Sequence, residues 1–312
     1  MKARKISLGA MMLGVTVLSG LQTAHAEGYT QTQYPIVLAH GLAGFDSIAG
    51  AYQYFYDIPR QLERSGAEVF LTQVSSAHSS EYQGEQLLAQ VEEIISITGA
   101  EKVNLIGHSQ GSMTARYVAG VRPDLVASVT SVSGVNWGTP VADALIDSVD
   151  DNRSASTVTY AMADAMYGLI DLVSFGGNEI DSREAARSLS TEGALAFNEN
   201  FPAGLPSAYC AGDGEHEVDG VRYYSWTGKD TLTNALDPSD YFLTTTSFAF
   251  SNEENDGLAP ACGQQLGKTV GTYKRLNHFD QVNQVAGLTS LFGANPIRIW
   301  RDHANRLKQD GL

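Results

Sequence analysis

Short apolar runs alternate with segments of helical periodicity through the N-terminal half of the chain. In the segment from 83 to 98, apolar residues recur every three or four positions until Gly99 ends the pattern. Strands separated by helices in this way pair in parallel and carry helices on both faces of the sheet. The pattern therefore predicts an α/β fold. The predicted strands are 35–39, 68–72, 102–106 and 126–133, and the predicted helices are 59–65, 83–98 and 112–120.

The pattern becomes looser after Gly138. One side of the segment 158–175 is apolar, which is typical of an amphipathic helix. No linker rich in proline or serine separates the later segments from the earlier ones. We therefore expect a single domain with insertions. The remaining predicted elements are a strand at 221–226, a helix at 281–292 with Asp280 as its N-cap, and a terminal helix at 301–308.

The first 26 residues have the layout of a secretory signal peptide. Three basic residues lie within the first five positions, and an uncharged apolar run follows from 6 to 21. The small residues Ala24 and Ala26 supply a cleavage site. The apolar run is too short for a membrane-spanning helix. Residues 1–26 are therefore predicted to be removed on secretion, which leaves 27–312 as one mature domain outside the cell.

The charge balance narrows the classes of partner. The whole chain has 20 Lys and Arg against 35 Asp and Glu, a formal charge of −15. Without residues 1–26 there remain 17 basic and 35 acidic groups, a charge of −18. Such an acidic surface argues against nucleic acid and against anionic membranes as partners. No other stretch is apolar enough to cross a bilayer.

The chain has two cysteines, Cys210 and Cys262. In an exported protein two cysteines most simply form one disulfide bond, so Cys210–Cys262 is the expected pair. Two free buried thiols are the alternative.

Residues 107–111 read Gly-His-Ser-Gln-Gly, a G-x-S-x-G motif. The motif alone is weak, but here it directly follows a predicted buried strand and opens a helix. In that context a tight turn raises the hydroxyl of Ser109 above the sheet, and the helix N-terminus points N–H groups at developing negative charge. A plain glycine-rich turn is the alternative. The motif indicates nucleophilic catalysis by Ser109.

A serine nucleophile needs a histidine base, which follows the serine in this type of fold. Three histidines do so. His303 is interpreted as a solvated residue on a charged helical face, and His216 as part of an acidic surface loop. His278 lies in a loop just before a predicted helix, which is where a catalytic side chain at the carboxyl end of a strand is expected. We therefore expect His278 to be the base, with a structural loop histidine as the alternative.

The carboxylate that orients the base is less well determined. Asp256 lies in an Asn-Asp-Gly turn, 22 residues before His278. Asp237, Asp240 and Asp280 compete with it, although Asp280 has the capping role already given. An ordinary turn at Asp256 remains open. The sequence favours Asp256.

An oxyanion hole in this type of fold uses one N–H after the nucleophile and one from the loop after an early strand. The residue after Ser109 is Gln110. The early loop reads His-Gly-Leu-Ala-Gly-Phe at 40–45. The backbone N–H groups of Leu42 and Gln110 are therefore the expected pair.

These motifs together resemble those of secreted bacterial triacylglycerol lipases, the true lipases typified by the Pseudomonas and Burkholderia enzymes. The similarity covers essentially the whole mature chain and is closest to the Pseudomonas-type branch in length. One departure is visible, since Gln110 stands where many relatives have histidine; only its N–H is needed for the oxyanion hole. The matching segments are 34–41, 103–109, 236–240, 255–258, 277–278, 280, 282–284 and 288–292.

The resemblance implies an α/β-hydrolase fold with Ser109, Asp256 and His278 as the catalytic triad. It also implies a structural calcium ion, which composition and spacing alone do not indicate. Calcium prefers hard oxygen ligands. The implied ligands are the carboxylates of Asp237 and Asp280, the side-chain oxygen of Gln284 and the backbone carbonyl of Leu288. The alternative is that these residues only begin a helix and form a turn.

The resemblance further assigns the amphipathic helix at about 153–177 as a lid over the site, and the family's disulfide falls on the two cysteines. It implies a membrane-anchored, lipase-specific folding chaperone in the periplasm and export from there. The expected activity is interfacially activated hydrolysis of long-chain acylglycerols through an acyl-enzyme. A carboxylesterase of short soluble esters and a non-catalytic lipid-binding relative are the alternatives.

Overall fold

The computed structural model describes residues 28–44, 47–48, 52–150 and 179–312. The predicted signal peptide at 1–26 and the predicted lid helix at 153–177 lie outside the described residues. Among the helices that are described, none has the length and apolar character needed to span a membrane.

A mostly parallel sheet forms the centre of the molecule. Its order within the described chain is β4-β1-β5-β6-β8, and both β7 and β9 pair with β8. All pairs are parallel except β7 with β8. β2 and β3 form a separate antiparallel pair. The strands are β1 Ile36–Ala39, β2 Ser47–Ile48, β3 Tyr52–Gln53, β4 Val69–Leu71, β5 Val103–His108, β6 Val126–Val132, β7 Glu217–Val218, β8 Val221–Gly228 and β9 Lys268–Tyr273.

Helices cover both faces of this sheet, as the alternating pattern predicts. One apolar cluster joins β1 and β8 to the first and last helices through Leu38, Trp226, Leu62 and Trp300. The other joins the opposite face to α2 and α3 through Leu87 and Val118. The helices are α1 Ile58–Glu63, α2 Ser80–Thr98, α3 Gln110–Val121, α4 Pro140–Asp150, α5 Ser182–Leu189, α6 Thr191–Asn200, α7 Pro238–Thr246 and α8 Pro296–Gln309.

The strands predicted from the N-terminal half are confirmed, although β4, at the edge of the sheet, is only half-buried. All residues of β5 and β6 are buried, which explains why they appear in the sequence as nearly continuous apolar runs. α2 begins three residues before the prediction, since Ser79 caps it by accepting a hydrogen bond from Tyr82 N. The weakly patterned elements β9 and α4–α7 were not predicted.

The helix predicted at 281–292 is wrong. The structure has two short 3₁₀ turns instead, Asp280–Val282 and Val285–Gly287. Asn283 between them has a positive φ of 56° and ends the first turn. Its side chain donates to the carbonyl of Tyr56, 2.9 Å away. The apolar residues Leu291 and Phe292 are 90% and 83% exposed, so their spacing does not mark a buried helix face.

The interpretation of His303 as a solvated residue is also wrong. His303 is fully buried on α8, where its ring packs edge-to-face on Tyr224 and Trp226. Its Nδ1 lies 3.0 Å from Arg306 Nη1, which can only donate, so Nε2 carries the proton and donates to Thr130 Oγ1 at 2.8 Å. Of its charged neighbours in sequence, Arg301 donates to Gln61 O and Asp302 accepts from Tyr29 Oη, so neither of these two contacts the ring. Burial lowers the pKa of His303 to about 3.

This burial predicts a loss of stability in acid. The unfolded chain takes up a proton on His303 below the ordinary pKa of 6.5, whereas the folded chain does so only near 3. The unfolded state therefore binds more protons between these values, and the free energy of unfolding falls by about 1.4 kcal/mol per pH unit as pH decreases through this window. His303→Gln keeps a donor and an acceptor but does not titrate. Denaturant unfolding of both proteins should show a shallower pH dependence in the variant; equal slopes would contradict the assignment.

Candidate active site

Ser109 occupies a sharp turn between β5 and α3. Its φ and ψ are 57° and −124°, a conformation that L-residues rarely adopt. The turn is held by Ser109 N, which donates to Val132 O on the neighbouring strand at 2.9 Å, and by Ser112 Oγ, which donates to Gly107 O at 2.8 Å. Ser109 is 8% exposed and stands at the N-terminus of α3. The strand-turn-helix context that the motif requires is therefore present.

The two glycines of the motif are required by close backbone approach. A Cβ on Gly107 would lie 2.1 Å from Gly111 O, and one on Gly111 would lie 2.3 Å from Ala39 O on β1. Neither neighbour is the flexible end of a side chain, so the turn admits no side chain at these positions. The motif thus has a packing reason as well as a chemical one.

His278 and Asp256 lie next to each other at the carboxyl edge of the sheet, both buried. His278 Nδ1 lies 2.9 Å from Asp256 Oδ2, and His278 N donates to Asp256 O at 3.0 Å. The other oxygen, Asp256 Oδ1, accepts the backbone N–H groups of Leu258 and Ala259 at 3.1 and 2.7 Å. A carboxylate fixed in this way orients an imidazole and stabilises its charged form. The competing carboxylates Asp237 and Asp240 make other contacts.

Sequence reasoning missed Gln281 at this site. Its Nε2 donates to Asp256 Oδ2 at 3.3 Å, the same oxygen that faces His278. Its backbone carbonyl accepts the indole N–H of Trp300 at 2.7 Å, which fixes the residue against the core. The wrong helix prediction placed Gln281 on a helix, and no pattern in the sequence indicates this contact.

Two backbone N–H groups are available where an oxyanion hole is expected. Within the described chain, the N–H of Leu42 and that of Gln110 donate no hydrogen bond. Gln110 is the first residue of α3, whose N-terminus carries partial positive charge. The loop around Leu42 is fixed on both sides, since Gly41 N donates to Tyr54 Oη and Ala43 N donates to Ser76 O. The arrangement suits stabilisation of negative charge near Ser109.

Ser109 and His278 line the same cavity. Its other walls come mainly from apolar side chains of the early loop, α4, α5 and the loops after β8. The lining includes Leu42, Val141, Leu145, Leu189, Leu258 and Phe279. An apolar cavity beside a serine hydroxyl and an imidazole favours a ligand with a hydrocarbon part.

The carboxylates Asp237 and Asp280 are both 2% exposed and lie close to Asp240, which is fully buried. Thr233 Oγ1 donates to Asp280 Oδ2 at 2.7 Å and also contacts Asp240 Oδ2 at 3.3 Å. Burial raises the pKa of Asp280 to about 7. Hydrogen bonds from Thr233 and Asn277 lower this pKa, whereas the negative charges of Asp240 and Asp237 raise it further. Burial likewise raises the pKa of Asp237. Three ionised carboxylates buried close together repel one another, which is energetically unfavourable unless a cation compensates their charge.

A different group of potential metal ligands is found near the disulfide. In the part of the chain that is described, Cys210, Glu253 and Cys262 bring ligand atoms within 4.8 Å of one another. The two sulfurs are joined in the disulfide bond Cys210–Cys262, as expected, so neither can act as a thiolate ligand. This cluster is therefore no calcium site, because calcium requires oxygen ligands.

His216, another histidine that follows Ser109 in sequence, contacts β8, since its carbonyl accepts from Tyr223 N at 2.8 Å. It is partly buried in a loop before β7 and packs edge-to-face on Tyr224. Its position agrees with the interpretation as part of a surface loop.

Comparison with known proteins places this geometry in context. The family model of the α/β-hydrolase fold matches residues 34–158. A triacylglycerol lipase of Vibrio cholerae is 50% identical, and the match covers 93% of this chain and 93% of that lipase. A triacylglycerol lipase of Pseudomonas fragi is 40% identical, and the match covers 90% of this chain and 98% of that lipase. Among solved structures, Staphylococcus hyicus lipase superposes with a TM-score of 0.59 at 16% identity, covering 91% of this chain and 98% of that one. That last likeness concerns the fold alone, and the predicted fold class is confirmed.

Proposed function

The chain belongs to the family of bacterial triacylglycerol lipases, serine ester hydrolases of the α/β-hydrolase fold, and we propose that it hydrolyses long-chain acylglycerols at a lipid–water interface outside the cell. The observation that carries this proposal is the apolar cavity lined by both Ser109 and His278. It places a hydrocarbon-binding surface directly beside a nucleophile and a base. Membership of the family supports acylglycerols as the substrate class.

The reaction begins with attack of Ser109 Oγ on the ester carbonyl. His278 accepts the hydroxyl proton, and Asp256 holds the imidazole in the tautomer that carries hydrogen at Nδ1. The short contact between His278 Nδ1 and Asp256 Oδ2 supports these roles. His278 then protonates the leaving alcohol, and water repeats the sequence on the acyl-enzyme to release the fatty acid.

Negative charge on the tetrahedral intermediate is stabilised by the N–H groups of Leu42 and Gln110. Both groups lack another acceptor in the described structure, and both belong to backbone that is held in place. Loss of one such donor typically costs about 3 kcal/mol of transition-state stabilisation. Because these donors are main-chain groups, a side-chain substitution at Leu42 tests them poorly.

Interfacial activation follows if the segment at 153–177 acts as a lid, the role that the family resemblance gives it. Exposing about 400 Å² of apolar lining to water costs on the order of 10 kcal/mol, whereas a lipid surface covers that lining. Initial rates on tributyrin should therefore rise sharply above its solubility limit, and olive oil should be hydrolysed. A flat response with no activity on olive oil would indicate a short-chain carboxylesterase instead.

We also propose that calcium binds through Asp237, Asp280, Gln284 and the carbonyl of Leu288. The buried, mutually repelling carboxylates support this, because a divalent cation compensates their charge. All four donors are oxygen atoms, as calcium prefers. The ion would connect the turn before α7 to the loop that follows His278, so it acts on the position of the base and not on the substrate.

Chelation is therefore expected to destabilise the protein. Removal of calcium with EGTA should lower Tm by roughly 5 °C, the size expected for losing a ligand held at about 100 times its Kd in a domain of this length. Asp237 is the N-cap of α7, and Asp237→Asn retains an oxygen that accepts from Ser239 N but loses the charge. Thermal melting of this variant should not respond to EGTA. An unchanged Tm of the parent protein under chelation would contradict the calcium site.

Secretion through the periplasm with the aid of a lipase-specific chaperone completes the proposal. The signal-peptide layout of residues 1–26 supports secretion, and the family resemblance supports the chaperone. The protein can be expressed in a bacterial host with and without a co-expressed chaperone of the family. Assay of esterase activity in the culture medium then tests both secretion and the need for the chaperone. Equal active enzyme in the medium without the chaperone would argue against the dependence.

A further inference from the structure

Two buried polar side chains, Tyr54 and His108, lie between the early loop and the loop that carries His278. Tyr54 precedes α1 and is 4% exposed; His108 is the last residue of β5 and is fully buried. The mechanism above gives neither of them a role. A polar side chain that is buried so completely is costly unless its hydrogen bonds are satisfied.

These two side chains form a continuous hydrogen-bonded connection. Gly41 N donates to Tyr54 Oη at 3.1 Å, and Tyr54 Oη lies 2.6 Å from His108 Nδ1. His108 Nε2 lies 3.0 Å from the backbone carbonyl of His278. The connection therefore runs from the residue before Leu42 to the backbone of the catalytic base.

The direction of each hydrogen bond follows from the groups at the two ends. The carbonyl of His278 can only accept, so His108 Nε2 carries the proton and Nδ1 has the lone pair. Tyr54 Oη must then donate to Nδ1, which leaves its oxygen free to accept from Gly41 N. Neutral His108 in the Nε2–H tautomer satisfies all three contacts. Burial, which lowers the pKa of His108 well below its usual range, agrees with the neutral form.

We propose that Tyr54 and His108 are positioning residues, which fix the Leu42 N–H relative to the His278 ring through this connection. The inference rests on the proposed function, because it assigns Leu42 to the oxyanion hole and His278 to the base. Gly41 and Ala43 hold Leu42 from both sides, and only the Gly41 contact leads to the His278 loop. The close packing of Gly41 on Ser109, where an added Cβ would lie 2.7 Å from the Ser109 Cβ, transmits any shift to the nucleophile.

A double-mutant cycle tests this connection with a soluble ester, p-nitrophenyl butyrate. The variants are Tyr54→Phe, His108→Phe and their combination, each of which keeps a ring in the buried space. A misplaced donor or base lowers the rate of the chemical step, so each single variant should lose about 10- to 100-fold in kcat with KM changed less than about threefold. The combined variant should be no worse than the worse single variant, because both break one connection.

A matched control is Tyr224→Phe, which removes another buried tyrosine hydroxyl, bonded to Asp310 Oδ2 at 2.6 Å. Its kcat should stay within about twofold of the parent value. His108→Gln restores a donor that can reach the His278 carbonyl and should recover part of the kcat lost in His108→Phe. Thermal melting shows whether each variant is folded.

Three results would overturn the proposal: unchanged kcat in folded Tyr54→Phe, losses that multiply in the combined variant, or a loss confined to KM. The last result would mean that Tyr54, which also lines the cavity, contacts the substrate. If the His108 variants do not fold, ¹⁵N NMR of the parent protein decides: Nε2–H on His108 supports the connection, and Nδ1–H refutes it. Failure of the parent protein to hydrolyse any ester would instead refute the proposed function.

Discussion

Replacement of Ser109 by alanine is expected to abolish hydrolysis of emulsified triolein, with a loss of about 10⁵- to 10⁶-fold in kcat. In the proposed mechanism Ser109 Oγ attacks the ester, and without it the site offers only binding and the oxyanion donors. Tm should stay within about 2 °C of the parent value, since the substitution keeps the Cβ and the backbone contacts of the turn. Fatty-acid release at constant pH measures the loss.

Ser133→Ala is a matched control for this substitution. Ser133 also follows a central strand, β6, has a positive φ of 49° and is fully buried, and its Oγ has no hydrogen-bond partner among the described residues. Its loss should leave activity within about twofold of the parent value. Near-parental hydrolysis by a folded Ser109→Ala protein would mean that another group attacks the ester.

The second large effect is expected from Asp256→Asn, which should lower kcat by about 10³- to 10⁴-fold, as loss of the orienting carboxylate does in other serine hydrolases. The amide preserves the shape of the side chain, but its N–H₂ group can face His278 Nδ1 only if the imidazole takes the wrong tautomer. Gln281 Nε2 also donates to this position, so an amide nitrogen there meets a second donor. Initial rates on tributyrin measure the effect.

Asp310→Asn provides the comparison for this change. Asp310 Oδ2 also accepts a hydrogen bond from an aromatic residue, the Tyr224 hydroxyl, at 2.6 Å. The same isosteric substitution there should leave kcat unchanged within about twofold. A loss of less than about tenfold in folded Asp256→Asn would indicate that another carboxylate orients His278.

The central part of the fold could be predicted from sequence because its signals are local. β5 and β6 are buried on both faces, so their apolar runs identify them without knowledge of their neighbours. The turn at Ser109 could be located because its G-x-S-x-G motif is continuous in the sequence and directly follows the apolar run of β5. Apolar runs and short continuous motifs can be recognised without knowing which distant residues they contact.

The errors arose where distant contacts decide the structure. The segment 281–292 has helical spacing, yet Asn283 bonds to the carbonyl of Tyr56 and the chain turns there. His303 has charged neighbours in sequence, but the fold buries its ring between β6 and β8. Gln281 and Tyr54 gave no signal because their contacts join residues 25 and 13 positions apart. Such pairs become visible only when the sheet is assembled.

The most direct test of the account is to label the protein with an active-site phosphonate ester and to locate the adduct by peptide mass spectrometry. A phosphonate imitates the tetrahedral intermediate and reacts only with a nucleophile that an adjacent base activates. We predict one adduct per molecule, on Ser109, and none in Ser109→Ala or after unfolding. Absence of an adduct on a folded protein that hydrolyses esters, or an adduct on a different residue, would contradict the assignment of Ser109 and His278 to the reaction.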